Sequence, residues 1–372
     1  MNFDISEDAK AVANTAQDFL REHSPMTAIR RVFDKEIQYD AELWKSMAEL
    51  GWLGAGIPEK YGGVEMGAEV LCVLAEEIGR VLAPVPFSTS VSLATSAICA
   101  HGSEAQKNDL LPKLAAGEVI GTFALAEGNG DPDASRIKAK VKNGRLSGKK
   151  YPVTDGSIAD FAVVVARDEA NEIGLYFCDL NIPGVTSTPI ETVDPSRNTI
   201  ALNFENAEVE PLGDAWLGWQ SVQNLLDQAA IILSFEQLGG AQACLEMARD
   251  YAIERYAFGR PIGSFQAVKH KLANVYIASE LARSNAYYGA WALGEYSTEL
   301  SQAAATAHLS ACKAFQLAAR ENIQTHGGMG ITWEADCHMY FRRARTLGLE
   351  IGGPIFWQER LMSQLEQQAL AG

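Results

Sequence analysis

The sequence predicts an α+β protein, mainly α, in which a helical unit, an antiparallel β unit and a helical bundle follow one another. Three observations predict it. Apolar residues recur at helical spacing up to about residue 117. Short β-type runs separated by turn residues fill residues 119–212. Long Ala/Leu-rich amphipathic stretches then occupy 219–256, 265–295, 299–326 and 355–369. The expected units are 1–117, 118–213 and 214–372, because 372 residues exceed what one hydrophobic core usually serves.

In the first unit Val12, Ala16, Phe19 and Leu20 share one helix face, with Ser6 as the expected N-cap. Leu43, Met47 and Leu50 repeat that rhythm, and helical pattern returns at Val70–Leu82 and Ala105–Ala116. Between them, residues 51–63 hold too much Gly and Pro for a helix and predict a structured loop. In the second unit the strand runs are Ile120–Leu125, Ile137–Val141, Phe161–Ala166, Ile173–Asp179 and Thr199–Phe204. Asn143-Gly144 suits a tight hairpin, since both residues tolerate positive φ. No helix-length pattern interrupts these strands, so an antiparallel barrel or sandwich is expected over a parallel βαβ sheet. The third unit, from Trp216 to Leu370, has long helices without internal Pro and therefore an extensive shared core.

A formal charge of −16 argues against nucleic acid, which is held by clustered Lys and Arg. No apolar run approaches the roughly 20 residues that cross a bilayer. Residues Met1 to Lys10 lack the basic-then-apolar build of a secretion signal, and the six cysteines show no Cys-x-x-Cys spacing. A cytoplasmic protein with reduced thiols is expected. No residue cluster suggests a metal site, and no Ser-His-Asp or Cys-His pairing is supported.

Several motifs occur in a fixed order: Ile57-Pro-Glu-Lys-Tyr-Gly-Gly63, Gly102-Ser-Glu-Ala-Gln-Lys107, Leu111-Pro112, Gly117-Glu118 and Phe123-Ala-Leu-Ala-Glu127. Glu254-Arg-Tyr-Ala-Phe-Gly-Arg-Pro-Ile-Gly-Ser-Phe-Gln266 and Gln324-Thr-His-Gly-Gly-Met-Gly-Ile-Thr332 complete the set. Together with the three-part layout they resemble the acyl-CoA dehydrogenases over essentially the whole chain. That resemblance implies an N-terminal helical domain, a middle antiparallel β-barrel and a C-terminal four-helix bundle. It also implies FAD as cofactor, an acyl-CoA thioester as substrate and electron-transfer flavoprotein as electron acceptor. In that chemistry a carboxylate removes the proton α to the thioester while the β-carbon passes hydride to the flavin, so base, substrate and flavin must be aligned.

By the same resemblance Arg255 reaches the FAD pyrophosphate from a neighbouring subunit, with Phe258 and Gln266 near the adenosine portion. As plain sequence, Arg255 ends a helix, where a cation also favours the dipole. Gln324 and the turn at Gly327-Gly328 match a cofactor contact of the adjacent subunit, although a helix-terminating turn explains the glycines equally well. Glu127 ends the strand beside the flavin ring, where Ala126 replaces the usual hydroxyl residue. Thr154 matches the residue near flavin N5, and Pro152 stands where an aromatic residue covers the ring.

The catalytic base departs from the family pattern. Ungapped alignment of Leu349-Glu-Ile-Gly-Gly353 puts Ile351 at the position of the base and Glu350 one residue before it. The second family position falls on Ala229, with Asp227 and Glu236 on the same stretch. Glu350 and Glu236 are therefore the candidate catalytic carboxylates. Glu236, in an otherwise apolar stretch, also reads as a structural partner for an arginine. His326–Glu334 and Arg342-Arg343 resemble a branch in which a small subunit pairs with a larger, catalytically complete one on bulky or dicarboxylic substrates, steroid side chains among them. The chain is thus expected to form a homotetramer or an α2β2 heterotetramer, as a complete dehydrogenase or as a non-catalytic partner completing a cofactor site.

Overall fold

The computed structural model describes residues 5–213 and 218–371. Met1–Asp4, the expected boundary residue Asp214 and the expected bundle start at Trp216 lie outside the described residues.

Six α-helices open the chain: α1 (Glu7–His23), α2 (Met26–Phe33), α3 (Ala41–Glu49), α4 (Ala68–Arg80), α5 (Ser96–His101) and α6 (Glu104–Ala115). Ser6 caps α1 by accepting from the Ala9 amide, and Asp40 caps α3 by accepting from Leu43. Ser103 and Gln106 form a reciprocal capping box at α6, inside one of the sequence motifs. Residues 51–63 form two short 3-10 turns, Trp52–Gly54 and Glu59–Tyr61, as their Gly and Pro content requires. A buried π-helical segment, Phe87–Thr95, leads into α5.

The middle unit has β1 (Gly121–Ala124), β2 (Lys140–Lys142), β3 (Arg145–Thr154), β4 (Phe161–Arg167), β5 (Ile173–Asp179), β6 (Val185–Pro189), β7 (Thr199–Glu208) and β8 (Glu210–Pro211). They form one half-barrel sheet in the order β6-β7-β3-β2-β4-β5-β8, with β1 added beside β4. The sheet is mainly antiparallel, with two parallel contacts between strands that the strand runs did not predict. β1 and β4 pair in parallel, Gly121 opposite Phe161, and β2 and β4 meet in parallel at Lys140 and Arg167. No α-helix joins them: between β1 and β4 the chain makes a 3-10 turn at Ala134–Arg136 and returns through the β2–β3 hairpin at Asn143-Gly144. The buried strand β4 shows why the sheet sits between two cores: Phe161, Val163 and Val165 join the helical core while Ala162, Val164 and Ala166 face the sheet core.

The bundle consists of α7 (Gly218–Glu254), α8 (Gln266–Gly294), α9 (Leu300–His326), α10 (Cys337–Leu347) and α11 (Pro354–Ala371). Helix α9 packs against all four others, and α7 crosses α4. At that crossing the backbones touch. A Cβ on Gly79 would stand 1.9 Å from the Glu236 carbonyl oxygen, and one on Gly239 would stand 1.8 Å from that of Glu76. The missing side chains fix where Glu236 leaves α7.

Candidate active site

A cavity of about 440 Å³ opens between the sheet and the turn that follows α10. Phe123, Leu125, Ala126, Pro152 and Thr154 line it from the sheet, Thr89 and Leu93 from the π-helical segment, and Leu226 from α7. Leu349, Glu350 and Ile351 complete the wall after α10. A second cavity of about 360 Å³ adjoins it through the loop after β1, which includes Gly128–Pro132. Asp131 lines both, and its Oδ1 accepts from the Gly353 amide at 2.9 Å, tying that loop to the turn that carries Glu350.

Of the two candidate carboxylates, only Glu350 lies on the cavity. Its side chain is 3% exposed. Oε1 accepts from Ser88 Oγ at 3.1 Å and from Arg197 Nη2 at 3.4 Å, while Oε2 has no partner among the described residues. Burial raises its pKa above the ordinary carboxylate value, and Arg197 offsets only part of that rise. Ile351, 2% exposed, is the neighbouring piece of wall.

Glu236 is bound elsewhere. It is buried on α7 with Oε1 3.2 Å from Arg343 Nη1, and it is not among the cavity-lining residues. Arg343, 1% exposed, also donates to Asp194 Oδ2 at 2.9 Å and Ser196 Oγ at 2.9 Å. The structure therefore makes the pairing with an arginine that an acid in an apolar stretch requires. Asp227 is likewise held by Arg360, whose Nη2 stands 2.6 Å from Oδ2, and Ala229 is wholly buried.

Thr154 lines the cavity, and its carbonyl accepts from Thr122 Oγ1 at 2.7 Å. Glu127 lines the adjoining cavity instead, with its carboxylate committed to the fold. Its oxygens accept from the amides of Lys138 (2.8 Å) and Ala139 (3.0 Å) and from Lys150 Nζ (2.7 Å). Lys150 is fully buried and also donates to the Leu125 carbonyl at 3.0 Å, so it braces the strand that lines the cavity. Burial lowers its pKa to about 8, against the opposing pull of Glu127.

Arg255, Phe258, Gln266, Gln324, Gly327 and Gly328 form a separate group, none of it on the cavity. They gather at one end of the bundle. The Tyr251 ring at the end of α7 stacks at 4.2 Å on His326 at the end of α9, and Lys271 of α8 pairs with Glu321 of α9 at 3.2 Å. Arg255 makes no ion pair among the described residues, and its carbonyl accepts from the Ile262 amide at 2.8 Å to close a small hairpin. Phe258 is 96% exposed at that hairpin's tip. Gly327 has φ +61°, and no heavy atom lies within 4 Å of a Cβ built on either glycine, so the turn presents an open backbone surface.

Sequence reasoning did not single out Arg197, Ser88 or Thr89. Arg197 Nε and Nη2 grip Asp155 at 3.1 and 2.6 Å, Nη2 also reaches Ser88 Oγ at 2.7 Å, and Thr89 Oγ1 donates to Asp155 Oδ2 at 2.7 Å. Their partners are distant in the chain, so no local spacing signals them. Among the described residues no group of His, Cys, Asp and Glu could hold a metal ion, and no helix is long and apolar enough to cross a membrane.

Known proteins share this architecture. The acyl-CoA dehydrogenase N-terminal domain matches residues 6–118, and the acyl-CoA dehydrogenase C-terminal domain matches residues 217–353. Acyl-CoA dehydrogenase IpdE2 of Mycobacterium tuberculosis is 31% identical over 96% of this chain and 98% of its own length. One chain of the ChsE4-ChsE5 complex from Mycobacterium tuberculosis superposes with a TM-score of 0.90 at 27% identity, over 98% of this chain and 99% of that one. Butyryl-CoA dehydrogenase from Megasphaera elsdenii also gives 0.90 at 27% identity, over 98% of this chain and all of its own.

Proposed function

The chain belongs to the acyl-CoA dehydrogenase family of oxidoreductases, and from that premise we propose that it uses FAD to dehydrogenate an acyl-CoA thioester between its α and β carbons. One observation carries the reading: a single, mostly apolar cavity joins the Phe123–Ala126 and Thr154 wall to a buried carboxyl group, Glu350. FAD, when bound, supplies the hydride acceptor. The chain's own residues supply the rest. Thr154 and the Leu125–Ala126 backbone border the ring site, the apolar wall excludes water, and Glu350 takes the α-proton.

The residues fit such a cofactor. Arg255 is an exposed guanidinium without an ion-pair partner among the described residues, suited to a pyrophosphate, and Gly327-Gly328 leaves open backbone beside it. Because this group stands apart from the cavity, it would serve the cofactor of an adjacent subunit. The exposed Tyr276, Ile277 and Leu281 on α8 favour an assembly, as a homotetramer or an α2β2 heterotetramer. On this reading the chain divides at 117/118 and 213/214, acts in the cytoplasm and passes its electrons to electron-transfer flavoprotein.

A second reading has its own observation. Ile351 occupies the aligned position of the base, and the Glu350 carboxyl is buried among protein partners. This favours a partner subunit that completes the cofactor site of a base-bearing relative. The visible spectrum of the chain purified alone and supplied with FAD separates the two. Oxidised-flavin bands that persist after gel filtration are expected for the self-sufficient enzyme. A colourless chain that takes up flavin only when co-expressed with a base-bearing relative would overturn it in favour of the partner subunit.

A further inference from the structure

The contacts of Glu350 and Asp155 converge on one guanidinium, whose role rests on Glu350 being the proton acceptor. Asp155 directly follows Thr154, and Glu350 directly precedes Ile351, so each is the chain neighbour of a cavity-wall residue. Arg197 comes from the segment between β6 and β7 and reaches both. Its hold is unequal: Nη2 is 2.6 Å from Asp155 but 3.4 Å from Glu350.

The surrounding charges explain why that inequality matters. Four buried carboxyl groups (Asp155, Asp194, Glu236 and Glu350) share two buried guanidinium groups, Arg197 and Arg343. Arg343 is taken by Asp194 and Glu236. Arg197 is gripped through two nitrogens by Asp155, leaving Glu350 with one long contact to that guanidinium and an Oε2 that has no partner among the described residues. Charged groups acting on Glu350 include Arg197 from the β6–β7 segment, Asp155 from the end of β3 and Glu236 from α7, and Arg345 of α10 lines the same cavity. Ser88 of the π-helical segment adds a hydrogen bond.

We propose that Arg197 is a positioning residue that places the Glu350 carboxyl at the cavity wall and sets its proton affinity through competition with Asp155. Two opposite shifts are then expected. Removing the guanidinium (Arg197→Gln or Arg197→Met) takes away the cation that contacts Glu350 among the described residues and makes its proton harder to remove. Neutralising its competitor (Asp155→Asn) removes a nearby anion and frees Arg197 for Glu350, making the proton easier to remove.

The test is infrared difference spectroscopy of the chain across pH, without flavin, reading the carboxylic-acid C=O band that Glu350→Gln abolishes. The titration midpoint of that band is expected to rise by about one pH unit or more in Arg197→Gln and to fall in Asp155→Asn, since an opposite charge at this range shifts a carboxyl by about 1–3 units. If Arg197→Met does not fold, Arg197→Gln and Asp155→Asn carry the test. In flavin-loaded chain the acid limb of the rate profile should move with the midpoint. A midpoint that stays put, or moves the same way in both variants, overturns the inference. Glu350→Gln with full turnover would instead sink the proton-acceptor reading and leave the infrared shifts intact.

Discussion

Replacing Glu350 by Gln is expected to lower turnover of the flavin-loaded chain by on the order of 10³-fold, within the range that a positioned general base supplies. Gln keeps the size and can still accept from Ser88, so the cavity wall and flavin binding should persist. Steady-state turnover and the flavin-to-protein absorbance ratio, measured on one preparation, check both halves. Turnover within threefold of the parent would exclude Glu350 as the base.

The same substitution has a signature in stability. Burial raises the folded-state pKa of Glu350, so the native state binds more proton than the unfolded one above the ordinary carboxylate value. Wild-type stability from this group is therefore lost as pH rises beyond about 4.5, and Glu350→Gln does not lose it. Denaturant midpoints taken from acid to neutral pH should show the variant gaining on the parent. Activity should run the other way, rising with pH through the same ionisation.

The second large effect lies at Arg343. Arg343→Met leaves Asp194 and Glu236 buried without their cation, and breaking a buried pair from one side costs about 3–5 kcal/mol. Asp194 sits between β6 and β7, Glu236 on α7 and Arg343 on α10, so the loss should weaken the joint between sheet and bundle. Equilibrium denaturation measures it. A variant within about 1 kcal/mol of the parent would contradict the role given to this pair. Glu236→Gln removes one of two anions and keeps a hydrogen-bond acceptor, so its cost should be smaller.

How much of this was legible in the sequence depends on the range of the interaction that decides each element. Helix α1 was legible because Ser6 and the Val12–Leu20 face act within one helix, and the hairpin at Asn143-Gly144 was legible because two residues determine it. Strand β3 was not. Its Arg145, Lys149 and Lys150 look like a solvated stretch, yet Lys150 is fully buried because Glu127 and the Leu125 carbonyl receive it. Helix α10 was hidden for a similar reason, since its buried Arg343 answers to Asp194 and Glu236, more than 100 residues away. The parallel β1–β4 pairing also depends on long-range contact.

At the candidate site, Thr154 and Glu350 could be named from aligned motifs, and Glu236 could be read as an arginine's partner from its apolar setting. Arg197 could not. Nothing in Asp194-Pro-Ser-Arg197 announces that its last residue spans the gap between Asp155 and Glu350. Glu127 shows the opposite difficulty: the motif identifies the residue, but its carboxylate is held by two amides and Lys150.

Whether this chain alone joins flavin and proton acceptor in one cavity is tested most directly by anaerobic titration. The purified, flavin-loaded chain is titrated with a panel of acyl-CoA thioesters and followed by flavin absorbance. Bleaching by at least one acyl-CoA, slowed on the order of 10³-fold in Glu350→Gln, is the predicted result. Flavin that stays oxidised with every acyl-CoA, yet bleaches once a base-bearing relative is co-purified, would contradict it.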